Sequence, residues 1–139
     1  MNTSKGKIKT IIISVISILV VVATWIFNLG WLRLFMTAVL IPHIVLFVFM
    51  NLYSTKYFDN SKKIKILNIF FVLTFLFAYV FMPDSDDISS YVFFGLVHNE
   101  NVLNIAEIIS TVAFVGNVVT FIMQIIGIEK IKKNLLENK

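Results

Sequence analysis

Apolar positions in this chain do not alternate with polar ones. They come in four long runs separated by short polar breaks: roughly 10–29, 31–53, 64–82 and 102–128. Each run is near or above the ~20 residues that an α-helix needs to cross a ~30 Å hydrocarbon core. Membrane-spanning strands would show alternation over about ten residues, and none of the runs does. Backbone polar groups must be paired inside lipid, which leaves helices. The pattern therefore predicts an all-α integral membrane protein, residues 1–139 forming one membrane domain of four transmembrane helices in an antiparallel up-down bundle. The tight "NLG" break at 28–30 makes the first two spans a hairpin.

The few charges are segregated. Eleven of the twelve basic residues precede the first span, lie between the second and third, or follow the fourth, and only Arg33 falls at the opposite end. Excess Lys and Arg in short loops marks the cytoplasmic side, so both chain ends are expected in the cytoplasm of a multi-pass protein of a cell membrane. The loop from Pro83 to Asn101 carries Asp84, Asp86, Asp87 and Glu100 and no Lys or Arg, as suits the outer side. Trp25 and Trp31 flank the outer turn, where an aromatic belt would put them. A second reading of the N-terminus is a secretory signal, with "VVA" at 21–23 as a cleavage site, although the apolar run continues through "TWIF".

Composition sharpens this picture in three places. With 58% hydrophobic and 14% charged residues, the chain is greasier than a soluble domain. The formal charge of +4 sits in lysines that flank the spans, which argues for a bilayer and against nucleic acid. There is no cysteine, hence no disulfide and no thiolate ligand or nucleophile. Abundant Ile, Lys, Asn and Phe hint at an AT-rich bacterial genome.

At 100° per residue the polar and small residues collect on faces. Ser14, Ser17, Thr24 and Asn28 share one face of the first span; Arg33, Thr37, His43 and Asn51 share a broader one on the second. The fourth span has a stripe of Ala106, Ser110, Ala113, Asn117, Thr120 and Gln124. Such residues gather where membrane helices pack. The third span has few of them among many phenylalanines, so it is expected to face lipid more than the others.

"TAVLIPHIVLF", 37–47, places a proline and an ionisable side chain inside an apolar run. Pro42 removes an N–H and opposes the carbonyl of Ala38, a candidate hinge. His43 lies about 20 Å along the helix from the outer turn, near mid-membrane, where Asn117 is the depth-matched partner. Intramembrane ionisable residues are functional candidates. Arg33 and Glu107 lie near the outer ends of their spans. Arg33 can snorkel outward, and Glu107 follows Asn104 at the spacing of a helix-capping pair. The sharper expectation is an Arg33–Glu107 ion pair. Arg33, His43, Glu107 and Asn117 form the candidate intramembrane polar site.

The outer acidic loop, with Asp84, Asp86, Asp87, His98 and Glu100, is expected to hold a short interfacial or re-entrant helix, its aspartates in the first turn and "YVFFGLV" (91–97) in the interface. The spacing matches no EF-hand or zinc motif, so no metal and no cofactor is expected. No nucleophile–base or P-loop motif is present, and the two histidines fall at different depths, so an enzyme is not expected. The expected role is a non-enzymatic accessory, regulatory or immunity-type membrane protein working through protein contacts, with a membrane partner or a second copy of itself. The alternative is a small oligomeric transporter or channel for a cation or a proton-coupled solute.

Overall fold

The computed structural model describes residues 3–28, 30–85, 90–93 and 95–137, and the side chains of all of these except 3–5 and 7. Four helices account for most of them: α1, Thr3–Phe27; α2, Trp31–Ser54; α3, Lys62–Val80; and α4, Glu100–Glu137. All four are long and apolar enough to cross a membrane. A 3-10 turn, Thr55–Tyr57, leads from α2 towards α3, and β1, Asp84–Ser85, pairs antiparallel with β2, Ser90–Tyr91. The helix starts are marked as the chain chemistry dictates: Ser61 Oγ accepts from the Ile64 N–H at the head of α3, and Asn99 Oδ1 accepts from Asn101 and Val102 at the head of α4.

Hydrogen bonds fix the relative directions. Trp25 reaches Thr37, His43 reaches Tyr79, and Ser110 and Asn117 of α4 reach Ala78 and Phe71 of α3, so successive helices run antiparallel. One end of the bundle carries Asp84; the opposite end carries most of the lysines.

The third helix is central. It packs on the other three, and Ile64, Phe71, Phe75, Ala78 and Tyr79 are almost wholly enclosed. The expectation that α3 faces lipid is therefore wrong. In a membrane bundle the interior is as apolar as the surroundings, so phenylalanine does not report outward orientation. Here Phe71 and Phe75 of α3 build the core, while Phe70 and Phe77 face outward: Phe47 and Phe75 stack with centroids 3.9 Å apart, and Phe71 flanks Phe47 at 5.5 Å. The α3–α4 seam is close because α4 presents small residues. A Cβ on Gly127 would lie 2.7 Å from Ile64 Cδ1, and one on Gly116 would lie 3.3 Å from Thr74 Cγ2.

The polar faces of the other helices do turn inward. Ser14, Ser17, Thr24 and Asn28 are buried, as are Arg33, Asn51, Ala106, Ala113, Asn117 and Gln124. Large apolar side chains point outward instead, among them Phe35, Leu19, Val112 and Ile126. Two inward hydroxyls bond only to their own helix, one turn back: Ser17 to the Ile13 carbonyl and Thr24 to Val20. They contribute small size to the seams, while other side chains carry the bonds between helices. Trp25 is also inside, donating to Thr37 Oγ1 at 3.1 Å, whereas Trp31 is exposed.

Between β1 and α4 the described residues form no helix. Beyond the two short strands, Val92 pairs with Val97 across a turn in which Phe93 and Gly95 take positive φ, 53° and 73°. Among the described residues of this loop there is a folded-back ribbon and no interfacial helix, and Val92 is wholly buried.

Candidate functional site

Two polar constellations lie inside the apolar bundle. The first closes the Asp84 end. Arg33 stands in the first turn of α2, where the backbone N–H groups have no partner within the helix. Asp84 arrives from the loop after α3 and supplies one. Its Oδ2 accepts from Gly30 N at 2.9 Å and Arg33 N at 3.1 Å, and its Oδ1 accepts from Leu32 N at 3.1 Å and Ser85 N at 2.8 Å. It is an N-cap supplied from 51 residues away. The negative charge also lies at the positive end of the helix dipole. Gly30 makes room for it: a Cβ there would lie 2.6 Å from Asp84 Oδ1 and press on the Ser85 carbonyl. The requirement is space, because φ at Gly30 is an ordinary −115°.

The Arg33 side chain turns the other way, into the bundle, with 0% exposure. Its Nη1 donates to the Thr24 carbonyl at 2.7 Å; its Nη2 donates to the Met82 carbonyl and, at 3.5 Å, to that of Tyr79. These carbonyls belong to the last turn of α1 and to the end of α3, where the dipole is negative; that of Thr24 also accepts from Asn28 N at 3.1 Å. Trp25 covers the guanidinium, 5.2 Å from its ring centroid. Nε lies 3.8 Å from Asp84 Oδ2 and makes no hydrogen bond. The cation is thus solvated by helix ends, with Asp84 as nearby counter-charge. One Arg–Asp couple closes three helix termini.

This overturns two expectations. Arg33 neither snorkels outward nor pairs with Glu107. Glu107 is exposed on α4, away from Arg33, and the helix it was expected to cap begins at Glu100 with Asn99 as its cap. Asp84 does not start a loop helix; its carboxylate is spent on α2.

The second constellation lies deeper, at His43. Its Nε2 is 2.8 Å from Asn117 Oδ1 and its Nδ1 is 2.5 Å from Tyr79 Oη. One carbonyl fixes the orientation of the amide. Asn117 Nδ2 is 2.8 Å from the Phe71 carbonyl, which can only accept, so the amide N–H2 faces that way and also donates to Thr74 Oγ1 at 3.0 Å. The amide oxygen must then face His43 and accept from Nε2–H. A neutral imidazole has an acceptor left at Nδ1, which takes the Tyr79 hydroxyl proton. With the imidazole neutral, donors and acceptors match throughout. Phe75, Tyr79 and Phe114 surround the ring edge-on at 5.3 to 5.8 Å. Beside it, a slot of about 270 Å³ between α2 and α4 is walled by Val39, Pro42, Leu46, Phe114 and Phe121. Pro42 sits in an α2 that continues as helix on both sides.

Tyr79 was not expected here because its backbone stands near the end of α3, far from the depth of His43. Side chains lean towards the N-terminus of their own helix. On antiparallel α2 and α3 they therefore lean towards one another, and the two rings meet in between. A third polar layer, towards the lysine-rich end, joins Ser54 to Asn68 at 2.6 Å and Gln124 to Asn68 at 3.4 Å.

In the acidic loop, Asp86 and Asp87 lie outside the described residues. His98 is exposed and donates from Nδ1 to the Ser90 carbonyl at 3.2 Å, and Glu100 is exposed in the first turn of α4. Among the described residues no group of three or more His, Cys, Asp or Glu is placed to hold a metal ion. The chain matches no family model, no curated protein and no solved structure.

Proposed function

We propose that this chain is a four-span protein of a cell membrane, with both chain ends cytoplasmic, that works without catalysis through lateral contacts with a protein partner, in an accessory, regulatory or immunity-type role. Four apolar helices with outward-facing Phe, Leu, Ile and Val support the membrane setting. The lysines at one end and Asp84 with the acidic loop at the other support the orientation. The observation that carries the role is the closure of the network at His43: each of its polar atoms is spent on another, and its neighbours are aromatic or aliphatic. A transport site needs a polar group left available to the passing ion or proton, and Arg33 is likewise committed to helix ends.

Reconstitution tests this. Liposomes carrying the protein, loaded with proton- and cation-sensitive dyes, should leak no faster than empty ones. Flux that disappears in His43→Ala would replace this reading with transport. A photo-reactive residue at Val112, 67% exposed on α4, should give a discrete protein adduct in cells. Survival of cells exposed to pore-forming cationic peptides, with and without the chain, tests the immunity-type form.

A further inference from the structure

A cleft of about 700 Å³ opens between α1 and α3 at the lysine-rich end. That volume falls within the ~300–1,000 Å³ typical of sites for small organic ligands. The walls are ordered along the helix axes. α1 and α3 run in the same direction, so Lys9 and Thr10 on one, with Lys65 and Asn68 on the other, lie nearer the bundle end. Ile13, Ile69 and Leu73 lie deeper, Leu73 about 12 Å beyond Lys65 at 1.5 Å per residue. The deep part opens sideways, since Ile13, Ile69 and Leu73 are half exposed. A charged mouth above an apolar, laterally open channel has the polarity profile of one leaflet.

We propose that this cleft holds an anionic glycerophospholipid of the surrounding leaflet, its phosphate between Lys9 and Lys65 and one acyl chain along Ile13, Ile69 and Leu73. The lining has two lysines and one carboxylate, Asp59, and among the described residues neither lysine is in an ion pair. Asn68 adds a donor. Its side-chain oxygen is taken by Ser54 and Gln124, while its Nδ2 donates no hydrogen bond among the described residues, although Asn68 is only 5% exposed. Basic pockets between helices on the cytoplasmic side suit anionic headgroups, and each lysine favours such a lipid about fivefold. A zwitterionic headgroup would bring a further cation to the same mouth. The proposal rests on the membrane reading but not on the partner-contact role, so its failure leaves the flux and cross-linking results as they stand.

Native mass spectrometry of the full chain, released from detergent with phosphatidylglycerol or phosphatidylcholine of the same acyl chains, tests it. We expect one retained phosphatidylglycerol per chain and a preference over phosphatidylcholine of about tenfold or more. Lys9→Ala with Lys65→Ala should bring that preference down to near parity, and the Arg pair at the same positions should keep it. Gly6 lines the cleft, and a Cβ there meets nothing within 4 Å, so Gly6→Phe should plug it and lower the affinity for both lipids with both lysines in place. Lys130→Ala with Lys133→Ala removes the same charge from α4 and should change nothing. Circular dichroism of each variant checks the fold. Equal retention of the two lipids, equal loss in the α4 control, or displacement by millimolar inorganic phosphate would each overturn the proposal.

Discussion

Asp84→Asn keeps the shape of a buried side chain and removes its charge. Two losses combine. The carboxylate accepts four N–H groups at 2.8 to 3.1 Å, and an amide has one acceptor oxygen, so about half of those donors lose their partner. Loss of an N-cap alone costs about 0.5–2 kcal/mol. Arg33 meanwhile keeps its charge at 0% exposure, with its counter-charge 3.8 Å away gone. At that separation and an effective dielectric of ~20 the attraction is about 4 kcal/mol. Removing one member of a buried pair costs roughly 3–5 kcal/mol. The carbonyls of Thr24 and Met82 still solvate the guanidinium, which sets the expected total at about 3–5 kcal/mol and not at the sum of both losses. Reversible unfolding in mixed micelles, followed by circular dichroism as SDS is raised, reads this directly. Arg33→Met with Asp84→Asn should be less destabilised than the two changes added, by about 1–3 kcal/mol. A cost below about 1 kcal/mol for Asp84→Asn, or strictly additive changes, would refute the account of the Asp84 end.

Gly30→Ala should cost about 1–3 kcal/mol in the same assay, because the new methyl displaces Asp84 from the head of α2; an unchanged midpoint would show that the loop yields freely. Tyr79→Phe removes one hydrogen bond from His43 and should cost about 0.6 kcal/mol, at most about 1.7. Asn117→Leu leaves His43 Nε2 without a partner and also removes the Asn117 bonds to Thr74 and the Phe71 carbonyl, so it should cost more than Tyr79→Phe, and the reverse order would contradict the proton assignment. The chain has no cysteine, so single cysteines report sidedness without background. An impermeant maleimide should label Leu96→Cys in intact cells and Lys62→Cys only after lysis; the opposite pattern would invert the orientation.

The inward faces of α1, α2 and α4 were legible from the sequence because polarity in an apolar helix is rare enough to mark one side. The meeting of His43 with Asn117 followed from counting residues inward along two straight helices. The same counting failed wherever the chain is not a straight rod. Tyr79 reaches His43 through side-chain lean, which backbone depth ignores. Asp84 reaches Arg33 because the loop folds back over the bundle, and Glu107 was expected in its place because it lies at the right height on a helix. Height does not give azimuth: Glu107 faces outward. The phenylalanines of α3 were unreadable for a different reason, since membrane interior and bundle interior have the same polarity. The Arg33 cradle left no side-chain signal at all, being built from main-chain carbonyls.

The couple that closes the Asp84 end joins residues 51 positions apart. During synthesis at roughly 5–20 residues per second, Arg33 precedes its counter-charge by about 3–10 s. Through that interval the first two helices hold a guanidinium that lacks both the aspartate and the Tyr79 and Met82 carbonyls that will receive it. In the proposed membrane setting their insertion would therefore be provisional. It would become final once α3 had crossed and its trailing loop had folded onto the head of α2, which would make the third helix the clasp of the assembly and give a chain stopped before residue 84 a reason to be recognised as unfinished.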